Sequence, residues 1–287
     1  MPNKSVHLNF RRRFTNQMVT LAAAVSALLV LAPLLAIFAY LAIRGAGSVN
    51  WTFLTQPPKP VGEIGGGMGN AILGSALILA VASVIGIPLG IGAGIYLAEY
   101  GRNRFGDAIR FTADVLNGVP SIVVGMAVWG LVVVVQKHFS ALSGGIALGI
   151  MMIPTITRAT EEMLLMVPQA VREAALGLGI PHWRSTISVT LRTATSGVIT
   201  GVMLAFARVA GETAPLMFTA FGNQFWSHRL DQPTAALPLQ IYRYAISPYD
   251  DWHRQAWAGA LVLIILIVGT VSVVRLVASR GLMKGVA

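Results

Sequence analysis

The 287-residue chain is 55% hydrophobic and only 11% charged, with a mean hydropathy of +0.70. Soluble domains carry about 25% charged residues, so this composition excludes an ordinary soluble protein and predicts an all-α integral membrane protein. The net charge of +10 does not indicate nucleic-acid binding, because the basic residues lie at the ends of apolar runs, where membrane topology places them.

Six apolar windows of membrane-spanning length follow one another along the chain. A helix needs about 20 apolar residues, at ~1.5 Å each, to cross ~30 Å of hydrocarbon. The first window follows three arginines but is too long for the roughly 7–15-residue core of a cleaved signal, so we interpret it as a retained anchor. The predicted spans are Met18–Ile43, a helix within Met68–Ala98, Val115–Gln136, Phe139–Thr157, Thr193–Phe221 and Ala256–Val274.

The basic residues predict the orientation of these spans. With six spans, 14 of the 21 lysines and arginines fall on the side of the termini and six on the other side. The positive-inside rule therefore places both termini in the cytoplasm. The chain then consists of a cytoplasmic tail (1–17), a first helix (18–43), a core (69–275) with a long cytoplasmic loop (158–192), and a second tail (276–287).

Small residues predict where the helices pack closely. Gly86, Gly90 and Gly94 repeat every four residues on the second span, and Gly197 and Gly201 do so on the fifth. Such stripes let helix backbones approach each other in lipid. We interpret them as packing surfaces of a compact bundle and not as a binding site.

Two ionisable residues lie inside the fifth predicted span. Arg208 and Glu212 are four residues apart, so in a continuous helix they share one face, and each costs about 2.5–3.5 kcal/mol at the bilayer centre. Three interpretations stay open: a structural ion pair, a contact of Arg208 with a passing anion that Glu212 keeps from being held too tightly, or pairing with charges on a sister subunit. Thr213 adds a hydroxyl, and Pro215 can break the helix. We predict Arg208, Glu212 and Thr213 as a translocation site.

The long cytoplasmic loop has the pattern of a helical hairpin. Helix formers run from Gln169 to Leu178, a turn is expected at Gly179–Ile180, and Pro181 can begin a second helix from His182. Periodicity alone leaves two interpretations open, a docking knob for a cytoplasmic partner or an amphipathic hairpin on the membrane surface.

No sequence motif supplies this chain with its own energy source or catalyst. A P-loop needs Gly-Lys-Ser/Thr, and none of the four lysines lies in that context. Cysteine is absent and the five histidines are scattered, so we expect no metal site, no catalytic residue and no cofactor. The chain is predicted to be a transport subunit and not an enzyme.

The residues of the cytoplasmic loop resemble a known family. Glu173-Ala174-Ala175 followed by Gly179 is similar to the "EAA" loop of ABC importer permeases. In that family the loop forms coupling helices that sit in a groove of a cytoplasmic ATPase, so the resemblance implies an ATPase-coupling role for Glu173, Ala174, Ala175 and Gly179. Arg192 stands where the family often has proline, a departure at the end of the loop that leaves the docking turn intact.

Three further strings resemble the phosphate-specific branch of these permeases: IPLGIGAGIYLAEYGR, GVPSIVVG and ARVAGETAPLMFTAFGNQFW. The resemblance covers about Gly69 to Arg275. It implies a type I ABC importer permease core, MetI-like, with an extra N-terminal helix, in the bacterial inner membrane. It also implies a sister permease subunit with a related but distinguishable Gly-Glu-Thr segment, two ATP-binding subunits that hold ATP and Mg, and an external phosphate-binding protein.

Other classes of function carry different sequence features. A secondary transporter driven by an ion gradient is expected to carry inverted repeats, and none is obvious. An intramembrane enzyme needs a nucleophile–base pair or a metal cluster, which the sequence does not offer. A permease for another oxyanion, such as sulfate or molybdate, stays open as an alternative, because an external binding protein largely sets specificity.

Overall fold

The computed structural model describes the backbone of residues 4–283 and the side chains of residues 11–278. Within this part the chain is helical, with two isolated β-bridges and no strand. The helices in chain order are α1 (Lys4–Ala46), α2 (Trp51–Thr55), α3 (Gly69–Glu99), α4 (Arg104–Gly118), α5 (Ser121–Gln136), α6 (Ala141–Leu165), α7 (Gln169–Gly177), α8 (His182–Ala210), α9 (Ala214–Thr219), α10 (Leu237–Ala245) and α11 (Asp250–Met283).

Five of these helices are long and apolar enough to cross a membrane, namely α1, α3, α6, α8 and α11, and a sixth span results if α4 and α5 count as one bent element. The predicted all-α membrane fold is therefore confirmed. The first, second and sixth predicted spans lie inside α1, α3 and α11. The other three need correction.

The third predicted span, Val115–Gln136, is wrong as a single helix. Its first four residues belong to α4, and α5 leaves α4 at an angle of 105°. The bend has a local cause, because Val119 and Pro120 are both extended. Proline lacks an N–H and disfavours the helical conformation in the residue before it.

The fourth and fifth predicted spans have different ends from those expected. α6 does not stop before Arg158 but continues to Leu165, so part of the predicted cytoplasmic loop is helix. α8 begins already in the hairpin and ends at Ala210, and a separate short helix follows. Gly211 caps α8 through its N–H, and Pro215 lies in the first turn of α9, where proline is well tolerated.

The core of the bundle is the contact between α3 and α6, which confirms the glycine prediction. A Cβ atom placed on Gly86, Gly90 or Gly94 would lie 2.8, 2.7 and 2.5 Å from the Cβ atoms of residues of α6, respectively Met152, Ile156 and Thr160. Real Cβ atoms do not approach so closely, so only glycine permits this helix separation. On an adjoining strip of α6, Ala159 lies against Gly201 of α8, where an added Cβ would be 2.4 Å from the Ala159 Cβ, and the Met163 side chain lies against Gly197.

The N-terminal helix lies outside this core. α1 packs mainly against α11, where the Tyr40 and Trp257 rings meet edge to face at 5.1 Å. Gly45 lies against the Trp257 backbone. The membrane-spanning window of α1 is otherwise uncovered by this chain, so lipid or another protein chain covers it in the membrane.

Candidate translocation and coupling sites

The predicted translocation residues lie at a break between two helices. Arg208 is in the last turn of α8, while Glu212 and Thr213 lie in the three-residue link before α9. The expectation that Arg208 and Glu212 share one helical face is therefore wrong, because the helix ends between them. Gly211, with no Cβ, is a weak helix former at this position.

None of the three side chains forms a hydrogen bond or an ion pair with another residue of the described range 11–278. Arg208 and Glu212 are not within the 4.0 Å of an ion pair. Arg208 is exposed, and Glu212 and Thr213 are half-buried. The guanidinium thus points away from the core of its own helix bundle and keeps all its N–H donors for another group.

The break lies within the bundle and not at its rim. A Cβ atom on Gly125, which is in the second turn of α5, would lie 2.6 Å from the Cα of Pro215. Farther along, Ala220 lies against Gly144 in the first turn of α6. The short helix α9, which directly follows the break, therefore packs against both α5 and the start of α6.

The segment after α9, predicted to form the outer loop, closes the end of the bundle at which α6 begins. The backbone N–H groups of Ala141 and Leu142 donate to the carbonyls of Gln232 and Leu230, at 3.0 and 2.9 Å. The first free amides of α6 are thereby satisfied by the outer loop. These contacts hold the segment against the start of α6.

Arg243 of α10 fixes the start of this outer segment. Its guanidinium donates to the Phe221 carbonyl and lies 5.6 Å from the centre of the Phe221 ring. Phe221 has a φ of 60° and stacks on Phe139 at 4.6 Å. Sequence reasoning missed Arg243, because nothing local links it to a residue 22 positions earlier.

Charged residues line the exposed surface of the outer loop. Arg229 donates two hydrogen bonds to Asp231, at 3.0 and 2.7 Å, and these bonds lower the pKa of the Asp231 carboxyl. Both side chains are more than half exposed, so solvent screens the pair. The lowered pKa means that the Asp231 carboxyl stays ionised to a lower pH than a free aspartate would.

The cytoplasmic loop forms the predicted hairpin. α7 ends at Gly177, Gly179 has a φ of +80°, and α8 begins at His182 after Pro181. The left-handed conformation at Gly179 needs a residue without Cβ. The expected helix, turn and second helix are all confirmed.

The tip of the hairpin is exposed and partly apolar. Glu173, Ala174 and Gly179 are exposed, whereas Ala175 is buried against the rest of the chain. Two large apolar side chains also project outward, with Leu178 81% exposed and Trp183 62% exposed. Exposed apolar groups on a projecting hairpin indicate a protein contact. We refer to Glu173–Trp183 below as the docking tip.

A network of ion pairs fixes the C-terminal part of α6 to α4. Glu161, whose side chain is only 4% exposed, accepts from Arg110 of α4 at 2.6 Å and from Arg158 at 2.9 Å. Arg158 also pairs with Asp114 of α4 at 2.9 Å. The network explains why α6 continues through Arg158: its charge is neutralised on both sides.

The family model for the inner membrane component of binding-protein-dependent transport systems matches residues 86–281. Among curated relatives, the phosphate transport system permease protein PstA of Xylella fastidiosa is 45% identical over 272 residues, covering 93% of each chain. The PstA proteins of Yersinia pestis and Mycobacterium leprae are 47% and 36% identical, over 78% and 91% of this chain and 76% and 88% of theirs.

A solved structure gives the same fold. A chain of the MetNI methionine ABC transporter, in an inward-facing crystal form, superposes with a TM-score of 0.56 at 18% identity, over 76% of this chain and 96% of that one. The fold is therefore that of an ABC transporter permease. The chain belongs to the family of inner membrane components of binding-protein-dependent transport systems, in the branch whose curated relatives are named PstA.

Proposed function

We propose that the chain is a permease subunit of an ATP-driven importer for inorganic phosphate and forms half of the translocation pathway. The names of the relatives supply the substrate, and the open helix break supplies the site. The observation that supports the site is Arg208, which has no hydrogen-bond or ion-pair partner within residues 11–278 and is turned away from its own core at the end of an apolar helix. A guanidinium in this setting is expected to face an anion path.

Arg208 makes the transient contact with phosphate in this proposal. Guanidinium and phosphate can form two parallel, charge-assisted hydrogen bonds, a strong interaction that would slow release if nothing opposed it. Glu212, four positions on, limits how tightly the anion is held. Thr213 offers a hydroxyl as a further donor at the same break.

The docking tip connects the pathway to the energy source. Glu173, Ala174 and Gly179 contact a cytoplasmic ATP-binding subunit, and two such subunits bind the ATP and Mg. Ala175, predicted as a fourth contact residue, is buried and instead packs the tip against the rest of this chain. This chain binds no cofactor and performs no hydrolysis. A sister permease subunit completes the pathway, and a phosphate-binding protein docks on the outer loops. Both termini lie in the cytoplasm, as the distribution of basic residues favours.

Reconstituted vesicles test the function directly. The complete complex, with ATP inside the vesicle and the binding protein outside, should import radiolabelled phosphate, and omission of the ATP-binding subunits should abolish import. Unlabelled phosphate should compete, while sulfate and molybdate should not. Import by this chain alone, or competition by sulfate as strong as that by phosphate, would overturn the proposal.

A further inference from the structure

The last residue of α3 carries a carboxylate that is buried and shared by the two helices of the hairpin. The Glu99 side chain is only 4% exposed. One of its oxygens accepts a hydrogen bond from Arg172 of α7. The other lies 3.5 Å from the Thr186 hydroxyl and 3.7 Å from Nε2 of His182, both in α8. A single side chain of α3 thus contacts both helices of the hairpin.

Two neighbouring contacts strengthen this junction. Tyr100, the residue after Glu99, has its hydroxyl 3.2 Å from Nδ1 of His182, and the two rings meet at 5.3 Å. Arg172 donates a second hydrogen bond, of 2.6 Å, to the Leu164 carbonyl at the end of α6. The Arg172 guanidinium therefore lies between the cytoplasmic ends of α3 and α6.

The chain itself connects the hairpin only to α6 and α8. α3 is remote in sequence, since Glu99 and Arg172 are 73 positions apart. α3 nevertheless has to move together with α6, because the close contact of Gly86, Gly90 and Gly94 with α6, called the glycine seam below, holds the two backbones together. The contacts of Glu99 join the hairpin to α3 directly, in addition to the route through α6 and this seam.

We propose that Glu99 is the positioning residue that joins the hairpin to α3, so that a displacement of the docking tip moves α3 and α6 as one body. This inference rests on the proposed function and adds to it the residue through which force reaches the core. Glu99 itself contacts neither phosphate nor ATP. Its role is to hold the Arg172 guanidinium, because a buried carboxylate keeps a charged partner in a fixed place.

Glu161 supplies a matched control. Its side chain is also 4% exposed and also binds arginine, but its partners Arg110 and Arg158 belong to α4 and α6, and within residues 11–278 it forms no hydrogen bond or ion pair with the hairpin. Replacement of either glutamate by glutamine removes one buried charge at the cytoplasmic end of the same helix pair. Only the replacement of Glu99 breaks a contact between the hairpin and α3.

The experiment measures phosphate imported per ATP hydrolysed in vesicles that contain the complete complex. For Glu99→Gln we expect the ATP-binding subunits to copurify, ATP hydrolysis to continue, and the ratio to fall at least about tenfold, in line with loss of a buried charged contact. For Glu161→Gln we expect an unchanged ratio. A wild-type ratio in Glu99→Gln, or an equal fall in both variants, would overturn the inference.

A charge exchange keeps the test informative if Glu99→Gln is poorly folded. Arg172→Glu alone places two carboxylates together and should lower the ratio of phosphate imported to ATP hydrolysed. The double variant Glu99→Arg/Arg172→Glu should have a ratio at least about threefold higher than that of Arg172→Glu, because opposite charges face each other again. Absence of recovery contradicts the inference. If the wild-type complex imports no phosphate, the proposed function fails. If the wild-type complex imports phosphate but the Glu99 and Arg172 variants do not show the expected ratios, this inference alone fails.

Discussion

Gly90 of α3 lies directly against Ile156 of α6, so closely that a Cβ atom on Gly90 would be 2.7 Å from the Cβ of Ile156. The neighbouring contact, at Gly94, is with Thr160, one turn farther along both helices. The two helices therefore face each other in register along a glycine seam. Because the nearest contacting atoms of α6 are Cβ and backbone atoms, which cannot rotate away, the seam transmits displacement between the helices and does not absorb it.

Substitution in the seam should destabilise the protein. Gly90→Val is expected to cost about 1–3 kcal/mol, because the added methyl groups have to separate α3 from α6. Thermal unfolding of the purified chain in detergent measures the effect as a lower midpoint. Gly92→Val is the control, since Gly92 lies in the same helix with nothing within 4 Å of its Cβ position. Equal midpoints for the two variants would show that the seam is not tightly packed.

The network of ion pairs between α4 and α6 yields a second prediction. Glu161→Gln leaves the Arg110 guanidinium, about a quarter exposed, without its buried partner, so we expect a loss of about 2 kcal/mol after allowance for solvent at Arg110. Asp107→Asn removes the other carboxylate that pairs with Arg110, but Asp107 is 76% exposed, and its loss should cost only about 0–1 kcal/mol. Denaturation midpoints in the same detergent compare the two. A lower midpoint for Asp107→Asn than for Glu161→Gln would contradict the inference that Glu161 is the main residue joining α6 to α4.

Features with a local cause could be predicted from the sequence. The hairpin turn follows from Gly179 and Pro181, whose backbone preferences act without tertiary contacts. The seam follows from the four-residue spacing of Gly86, Gly90 and Gly94 on a helix. In both cases the residue types that determine the structure lie next to one another in the chain or on one helical face.

Features determined by distant residues could not be predicted. Hydropathy places Arg208 and Glu212 in one span, and only the fold shows that α8 ends between them and that a second short helix follows. Glu99 marks the end of an apolar window in the sequence, but its partners lie 73 and 87 positions away. Arg158 looks like the end of a span until the carboxylates of Asp114 and Glu161 are seen around it.

The docking tip yields a prediction about assembly. Gly179→Asp should abolish copurification of the ATP-binding subunits, because it puts a charge on an exposed turn that is expected to lie in an apolar groove. The substitution also strains the backbone, since φ at Gly179 is +80°, and an L-residue there lowers the free energy of unfolding by about 1 kcal/mol. Gly179→Ala carries this backbone cost without the charge and should retain most of the partner. Pull-down through an affinity tag on this chain, with the expression level as reference, gives the measurement. Unchanged copurification in Gly179→Asp would count against docking at this turn.

The translocation site yields the last prediction. Arg208→Gln should leave assembly and ATP hydrolysis intact and lower phosphate uptake at least about tenfold, because the charge that meets the anion at membrane depth is lost. Arg208→Lys should be intermediate, since it keeps the charge but not the two parallel donors. The two other interpretations of Arg208 predict different results.

A structural lock with Glu212 would make Glu212→Gln as damaging to thermal stability as Arg208→Gln. The structure argues against that result, because neither side chain has an ion-pair partner within the described residues. Pairing with the sister subunit would make Arg208→Gln lose that subunit on purification. Normal phosphate uptake by Arg208→Gln in a fully assembled complex would remove Arg208 from the pathway and leave Thr213 and the backbone of the break as the remaining groups there that could contact the anion.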